Sequence, residues 1–164
     1  MVEVLGFIPP LSQGVADLIV GIQQGEFGLD ITYADQPDLQ DIPGYYLNGT
    51  GNFWIAVENA QVVGTVALKD IGDGAAALRK MFVAKSHRGA DRGVANELLN
   101  TLLGHARMVG LRDIYLGTTA AFLAAHCFYE KHGFELIDAA DLPDSFPRMD
   151  VDTRFYRLSL GPQG

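Results

Sequence analysis

ALRKMFVAKSHRGADRGVANELL, spanning Ala77 to Leu99, decides how this chain is read: an apolar strand feeds a glycine-containing turn that opens a helix. Leu78 to Val83 carries the branched and aromatic side chains of a strand, and Gly89 and Gly93 stand where backbone must turn sharply or approach a ligand closely. Beyond Gly93, Val94, Leu98, Thr101 and Leu102 recur at helical spacing, so the helix begins at Gly93 and its first amide N–H groups lack an internal partner. Those amides, the positive end of the helix dipole and the neighbouring Arg88 and Arg92 favour a bound phosphate, which makes the segment a candidate pyrophosphate cradle. The dipole supplies at most about 2 kcal/mol, so tight binding needs further contacts. Similar turns also occur with nothing bound, and support must come from the rest of the chain.

The 164 residues suit one globular domain, residues 1–164, with a substantial core. Apolar residues make up 48% and charged residues 20%, the composition of a folded soluble domain. A formal charge of −8, with no dense Lys/Arg cluster, argues against a nucleic-acid partner, while the overall field would draw a cationic or amine-bearing small molecule. The single cysteine, Cys127, excludes an internal disulfide and a thiolate zinc cluster, and no metal is expected. The N-terminus lacks the pattern of a secretion signal and no run of about 18 apolar residues occurs, so the expectation is a cytoplasmic protein without a membrane partner.

In chain order, Val2 to Ile8 reads as a strand ended by Pro9 and Pro10, and Ser12 as the cap of a helix with Val15, Leu18, Ile19 and Ile22 on one face. Glu26 to Asn52 reads as a solvated connection with aromatic plugs, holding a short helix within Asp38 to Tyr46 that Pro43 and Gly44 interrupt. Phe53 to Val57, Gln61 to Leu68 and Leu78 to Val83 form an antiparallel meander through turns at Glu58 to Ala60 and Asp70 to Gly74. A helix from Gly93 to Val109, a strand Asp113 to Gly117, a helix Ala120 to His132, a strand from Phe134 and a last strand Thr153 to Leu160 follow. This order predicts an α/β (α+β) fold, with a mixed central sheet and helices on both faces. Its ligand crevice should lie beyond the carboxyl ends of Leu78 to Val83 and Asp113 to Gly117, bringing Gly93 beside the segment Thr118 to Tyr129.

The chain resembles the GCN5-related N-acetyltransferase (GNAT) superfamily in this order of elements and in three local matches. MFVAKSHRGADRGVANELL is similar to the family's acyl-CoA pyrophosphate loop, Q/R-x-x-G-x-G/A, with Gly93-Val94-Ala95 at its end. AAHCFYEKHGF, Ala124 to Phe134, is similar to its Ala-x-x-x-Tyr-x-x-x-Gly-Phe helix and exit, and GTVAL to its third strand. There are departures: Ala90-Asp91-Arg92 separates Gly89 from Gly93, so either Arg88 serves through a longer loop or Arg92 supplies the charge, and Phe122 stands where the family often has Asn.

The resemblance implies an N-acetyltransferase that moves an acetyl group from acetyl-CoA to the primary amine of a small molecule by direct attack. Tyr129 would be the general acid that protonates the CoA thiolate, suited by a phenol pKa near about 10. Cofactor contacts would come from Met81, Phe82, Val83, Arg88, Gly89, Ala90, Asp91, Arg92, Gly93, Val94, Ala95, Ala125 and Phe128. The N–H of Phe82 or Val83 would donate to the thioester oxygen. No base is evident: His87, His105, His126 and His132 read as ordinary surface residues, and Glu58, Asp70, Asp35 and Asp38 remain open, as does a water chain. Cys127 reads as a buried or half-buried spectator thiol. Trp54, Tyr45, Phe27, Phe146 and Met149 are candidates to line the acceptor pocket; Asp35, Asp38 or Asp152 would suit a cationic amine, Arg148 or Arg154 a carboxylate. A non-catalytic acyl-CoA-binding or sensing domain is the alternative, ahead of a phosphate-binding interaction module, for which the usual glycine signatures are missing. Family members often form dimers, and the last strand, read as an edge with Phe155, Arg157 and Ser159 alternating, offers a surface for a homodimer.

Overall fold

The computed structural model describes residues 1–89, 92–119, 123–149 and 152–161. Strand β1 (Glu3–Gly6) leads to α1 (Ser12–Gly21), which widens into a π-helical turn at Ile22–Glu26. Two short helices, α2 (Pro37–Gln40) and α3 (Ile42–Tyr46), precede the meander β2 (Asn52–Glu58), β3 (Gln61–Gly72) and β4 (Ala75–Val83). Then come α4 (Val94–Met108), β5 (Asp113–Thr118), α5 (Leu123–Lys131), β6 (Glu135–Ile137) and β7 (Arg154–Ser159). The seven strands form one mixed sheet, ordered β1-β2-β3-β4-β5-β7-β6, in which β4 and β5 run parallel and the other pairs antiparallel. Among the described residues no helix is long and apolar enough to cross a membrane.

Alternation along the central strands divides the core between the sheet's two faces. Trp54 and Ala56 of β2, with Val66 and Leu68 of β3, pack under Leu98, Leu99 and Leu102 of α4. Phe53, Ile55 and Ala67 point the other way, against Val15 and Ile19 of α1 and Ile42 and Tyr46 of α3. The predicted architecture is therefore present, with helices on both faces.

Several local expectations need correction. Ser12 is the first residue of α1 rather than its cap, because a 3₁₀ turn at Pro9–Leu11 runs straight into the helix. The stretch from Glu26 to Asn52 is not a solvated connection: Gln36, Asp38, Leu39, Ile42 and Tyr46 are buried. Its helical part breaks at Asp41 and not at Pro43, which sits in the first turn of α3, where a missing N–H is harmless. Strand β7 is not an edge, since it pairs with β5 on one side and β6 on the other. That removes the open ladder on which a dimer through this strand was expected to form.

Both meander turns are two-residue hairpins with both residues left-handed: Asn59 (φ 52°) and Ala60 (φ 64°), then Asp73 (φ 55°) and Gly74 (φ 74°). Ala60 alone lacks the side-chain amide, carboxylate or missing Cβ that makes this conformation cheap. Ala60→Gly should therefore stabilise the protein by about 1 kcal/mol, raising the thermal midpoint by about 2–4 °C; an unchanged or lower midpoint in calorimetry would contradict it.

Candidate active site

Strands β4 and β5 pair only over Ala75–Ala77 and Asp113–Tyr115 and then part. The cause lies on the other side of β4. Thr65 pairs with Phe82 and Ala67 with Arg79, so Lys80 and Met81 both oppose Val66, a bulge in which Lys80 takes φ 55°. The Thr65 hydroxyl fixes it by donating to the Lys80 carbonyl at 2.6 Å. The bulge turns the end of β4 away from β5 and opens a cavity of about 810 Å³ between them. Leu78 to Val83 form one wall, Leu116 to Thr119 the other, and Ala124, Ala125, Phe128 and Tyr129 of α5 close one side.

The backbone of β4 is polar toward this cavity. Ala84 N–H donates to Val63 on β3 at 2.8 Å, and alternation then turns Phe82 N–H toward β3 and Val83 N–H toward the crevice. Of the two predicted donors, Val83 is the one facing the cavity. Its carbonyl, on the same side, accepts from Arg88 Nε at 2.8 Å.

At the mouth, Gly93 (φ 72°) is the left-handed cap of α4, and the first helical bond runs from Glu97 N–H to its carbonyl at 2.9 Å. The amides of Val94, Ala95 and Asn96 therefore project from the helix end without intrahelical acceptors. Gly89 turns the preceding loop at φ 109°. Arg88 lines the cavity and holds Glu26 through both guanidinium nitrogens, at 2.7 and 2.6 Å. That contact keeps the Glu26 carboxyl below its ordinary range.

Tyr129 is buried and lines the cavity, its ring edge-on to Phe128 and Phe134. Burial pushes its phenol well above the usual value, so it keeps its proton throughout the physiological range. The deep end of the cavity carries charge. Lys80 Nζ donates to Gln36 Oε1 at 2.6 Å and lies 3.4 Å from Asp38. Asp38 also accepts from the Tyr46 hydroxyl at 2.6 Å, and Arg79 donates from Nε to the same hydroxyl at 3.1 Å. Burial outweighs the attraction of Asp38 and lowers Lys80 to about 8. Asp152 lines the cavity opposite, its carboxyl raised by burial against the pull of the Met149 amide, Arg79, Lys80 and Arg148.

This geometry has counterparts among known proteins. Residues 49–136 match the family model described as an acetyltransferase (GNAT) domain. The chain belongs to the GNAT family. An acetyltransferase of the GNAT family from Staphylococcus aureus is 37% identical and superposes with a TM-score of 0.93, over 98% of this chain and 99% of that one. An acetyltransferase from Streptococcus agalactiae is 35% identical, with a TM-score of 0.91 over 97% and 98% of the two chains. An N-acetylaspartate synthetase from Danio rerio is 39% identical over 126 residues, 74% of this chain and 44% of the relative, so the chain spans less than half of that relative's length.

Within this GNAT domain most of the predicted residues converge. Met81, Phe82, Val83, Arg88, Gly89, Gly93, Ala95, Ala125, Phe128 and Tyr129 line one cavity. Val94 contributes its amide, while its side chain is buried in the core; Arg92 is exposed and stands off the cavity. Ala90, Asp91 and Phe122 lie outside the described residues. Of the predicted acceptor residues, Phe27, Phe146, Met149 and Asp152 are present at the cavity. The others are engaged elsewhere: Trp54 stacks edge-on with His105, Tyr45 sits under Lys69, Asp35 closes a turn with Thr32, and Arg154 reaches Tyr156. Among the open candidates for base, Glu58 holds His87, Asp70 binds the Thr50 and Gly72 amides, and Asp38 is bound by Tyr46 and Lys80.

Two expectations about side chains are corrected. His126 is buried, bonded to the Thr119 carbonyl at 3.0 Å, and Cys127 is exposed on the outer face of α5. Neither Lys80 nor the pair Asn96 and His132 stood out in the sequence. His132 Nε2 meets Asn96 Oδ1 at 2.6 Å and ties α5 to the mouth of α4. Their only sequence signal was proximity to a glycine turn and to the Tyr129 helix.

The depressed Lys80 has a measurable consequence. Between about 8 and its ordinary value of 10.5 the unfolded chain holds a proton there that the folded chain has lost, so this group makes stability rise with pH across that window. Lys80→Met should flatten that part of the curve of unfolding free energy against pH; an unaltered slope in urea titrations would contradict the assignment.

Proposed function

We propose that this chain transfers an acetyl group from acetyl-CoA to the primary amine of a small molecule by direct attack, with Tyr129 as general acid to the CoA thiolate. One observation carries it: the Tyr129 phenol, the Val83 N–H and the open helix end at Gly93 border a single cavity where β4 and β5 part. The helix-end amides, Arg88 and Lys131 would receive the pyrophosphate, and the free edge of β4 would pair with the pantetheine amides as an added strand. Val83 N–H would donate to the thioester oxygen, whose negative charge grows as the amine attacks. Breaking the C–S bond leaves charge on sulfur, and a phenol that remains protonated in its buried site is placed to supply the proton. Cys127 is exposed and outside the cavity, which favours attack by the amine over transfer through a cysteine thioester.

For the acceptor we favour an amino acid within the class of small primary amines. Arg79 and Lys80 lie at the same end of the cavity as Asp152, offering partners for both a carboxylate and an ammonium group. The name of the Danio rerio relative, N-acetylaspartate synthetase, supports this choice.

Tyr129→Phe should lower kcat by about 10²–10³ while leaving the acetyl-CoA dissociation constant nearly unchanged in calorimetry. Acetyl-CoA binding with turnover indifferent to this change would remove Tyr129 from the mechanism. Gly93→Ala forces a side chain into the left-handed cap and should weaken acetyl-CoA binding about tenfold, about 1.4 kcal/mol, with a smaller effect on kcat. Equal affinity in the variant would remove the helix end from the cradle.

A further inference from the structure

The proposed reaction lacks a group to receive the proton of the acceptor ammonium, and the deep wall of the cavity contains one. Asp152 lies two residues before β7, and the next residue anchors it there: Thr153 N–H donates to the Thr118 carbonyl at 2.9 Å. This places its carboxylate at the carboxyl end of β5, on the wall facing the β4 bulge. The fit depends on Gly117: a Cβ there would lie 2.6 Å from Asp152 Oδ2 and 3.1 Å from the Phe155 ring. The strand thus leaves a gap that the carboxylate occupies. One protein donor is in place, Met149 N–H to Oδ2 at 3.2 Å.

The surrounding charges distinguish the half-buried Asp152 from Asp38, a fully buried carboxylate nearby. Asp38 is bound by the Tyr46 hydroxyl and Lys80 and is not part of the cavity wall. Asp152 is part of the wall, with Arg79 and Lys80 acting on it from β4 and Arg148 from its own loop. Burial raises its carboxyl above the ordinary range, closer to the operating pH of a base, while the Met149 amide and these cations pull the other way, toward the ionised form.

Resting on the acetyltransferase reading above, we propose that Asp152 is the catalytic base, taking a proton from the ammonium group of the acceptor. The freed nitrogen lone pair forms the C–N bond to the thioester carbon, the C–S bond breaks, and the sulfur leaves with its electron pair and takes the Tyr129 proton. The second nitrogen proton, acidic once the C–N bond exists, restores the Tyr129 phenol. The proton on Asp152 passes to solvent, so one proton is released per acetyl group transferred.

The test compares wild type with Asp152→Asn, which preserves size and can still accept from Met149 N–H. L-aspartate, L-phenylalanine, tyramine and spermidine serve as acceptor probes, with thiol release as the readout and calorimetry with acetyl-CoA as the check of folding and cofactor binding. At pH 7 the variant should lose about 10²–10³ in kcat/KM on the best acceptor. The loss should shrink at least tenfold by pH 9.5, where solution supplies the free amine. The acidic inflection that Asp152 gives the wild-type pH profile should be replaced in the variant by a rise that follows the acceptor amine's own titration. A loss constant across pH, or none, with acetyl-CoA binding intact, overturns the role of Asp152 and leaves the acetyltransferase reading standing. A wild type that binds no acetyl-CoA, or acetylates none of the probes, overturns that reading and this one with it.

Discussion

The site depends on the early separation of β4 from β5. A parallel pair joined along its whole length would leave no cavity, only a continuous sheet covered by helices. Here the ladder stops after three paired residues because a bulge at Lys80 and Met81 rotates the strand's end away. A lysine in the left-handed region costs about 1–2 kcal/mol, and nothing in the local sequence offsets that. The offset is tertiary: Thr65 binds its carbonyl, and Gln36 and Asp38 bind its ammonium group from the helical segment before the meander. The segment from Glu26 to Asn52 therefore does more than connect. It holds the residue whose conformation opens the crevice, which explains why a stretch so polar in composition packs so much of itself inside.

The two ends of the cavity are built from different materials. At the mouth the groups open to a ligand belong to the backbone: helix-end amides beyond Gly93 and the Val83 N–H at the free strand edge. These positions require only certain φ values and an unpaired edge, so they leave glycines in the sequence and little else. At the other end the charged groups are side chains gathered from far apart, with Lys80 from β4, its partners Gln36 and Asp38 from α2 and its approach, and Asp152 from just before β7. The Asn96–His132 bridge fastens the helix carrying Tyr129 to the helix supplying the amides.

This division explains what the sequence could disclose. Gly93, the strand before it and the Tyr129 helix are local patterns with fixed spacing, and they led to the right fold and to residues that line the opening between β4 and β5. Trp54 packs away from the pocket because β2 alternates between two cores, and an aromatic residue's face on a strand cannot be known until the register is; Tyr45, on α3, lies instead under Lys69. Strand β7 was misread as an edge because chain order puts it last, whereas β6 occupies the outer position in space. Lys80 was invisible for a deeper reason: its backbone conformation is imposed by partners 44 and 15 residues away, Gln36 and Thr65.

Charge shows the same gap between the whole and the local. With a net charge of −8, the chain as a whole should attract cations. Yet among the described residues the cavity wall carries Arg79, Lys80, Lys131 and the Glu26-bound Arg88, with Asp152 as its one carboxylate. At physiological ionic strength exposed charges more than about 8 Å apart are largely screened, so a ligand inside the crevice responds to that lining and hardly to the acidic exterior. The excess of bases suits a phosphate-bearing cofactor at the mouth. Asp38 partly neutralises Arg79 and Lys80, so with Asp152 the charges at that end of the cavity come closer to balance, as the proposed amino-acid acceptor would require. Of the opposing acidic and basic residues weighed along the sequence, Asp152 is the one that lines the cavity, where it stands with Arg79 and Lys80.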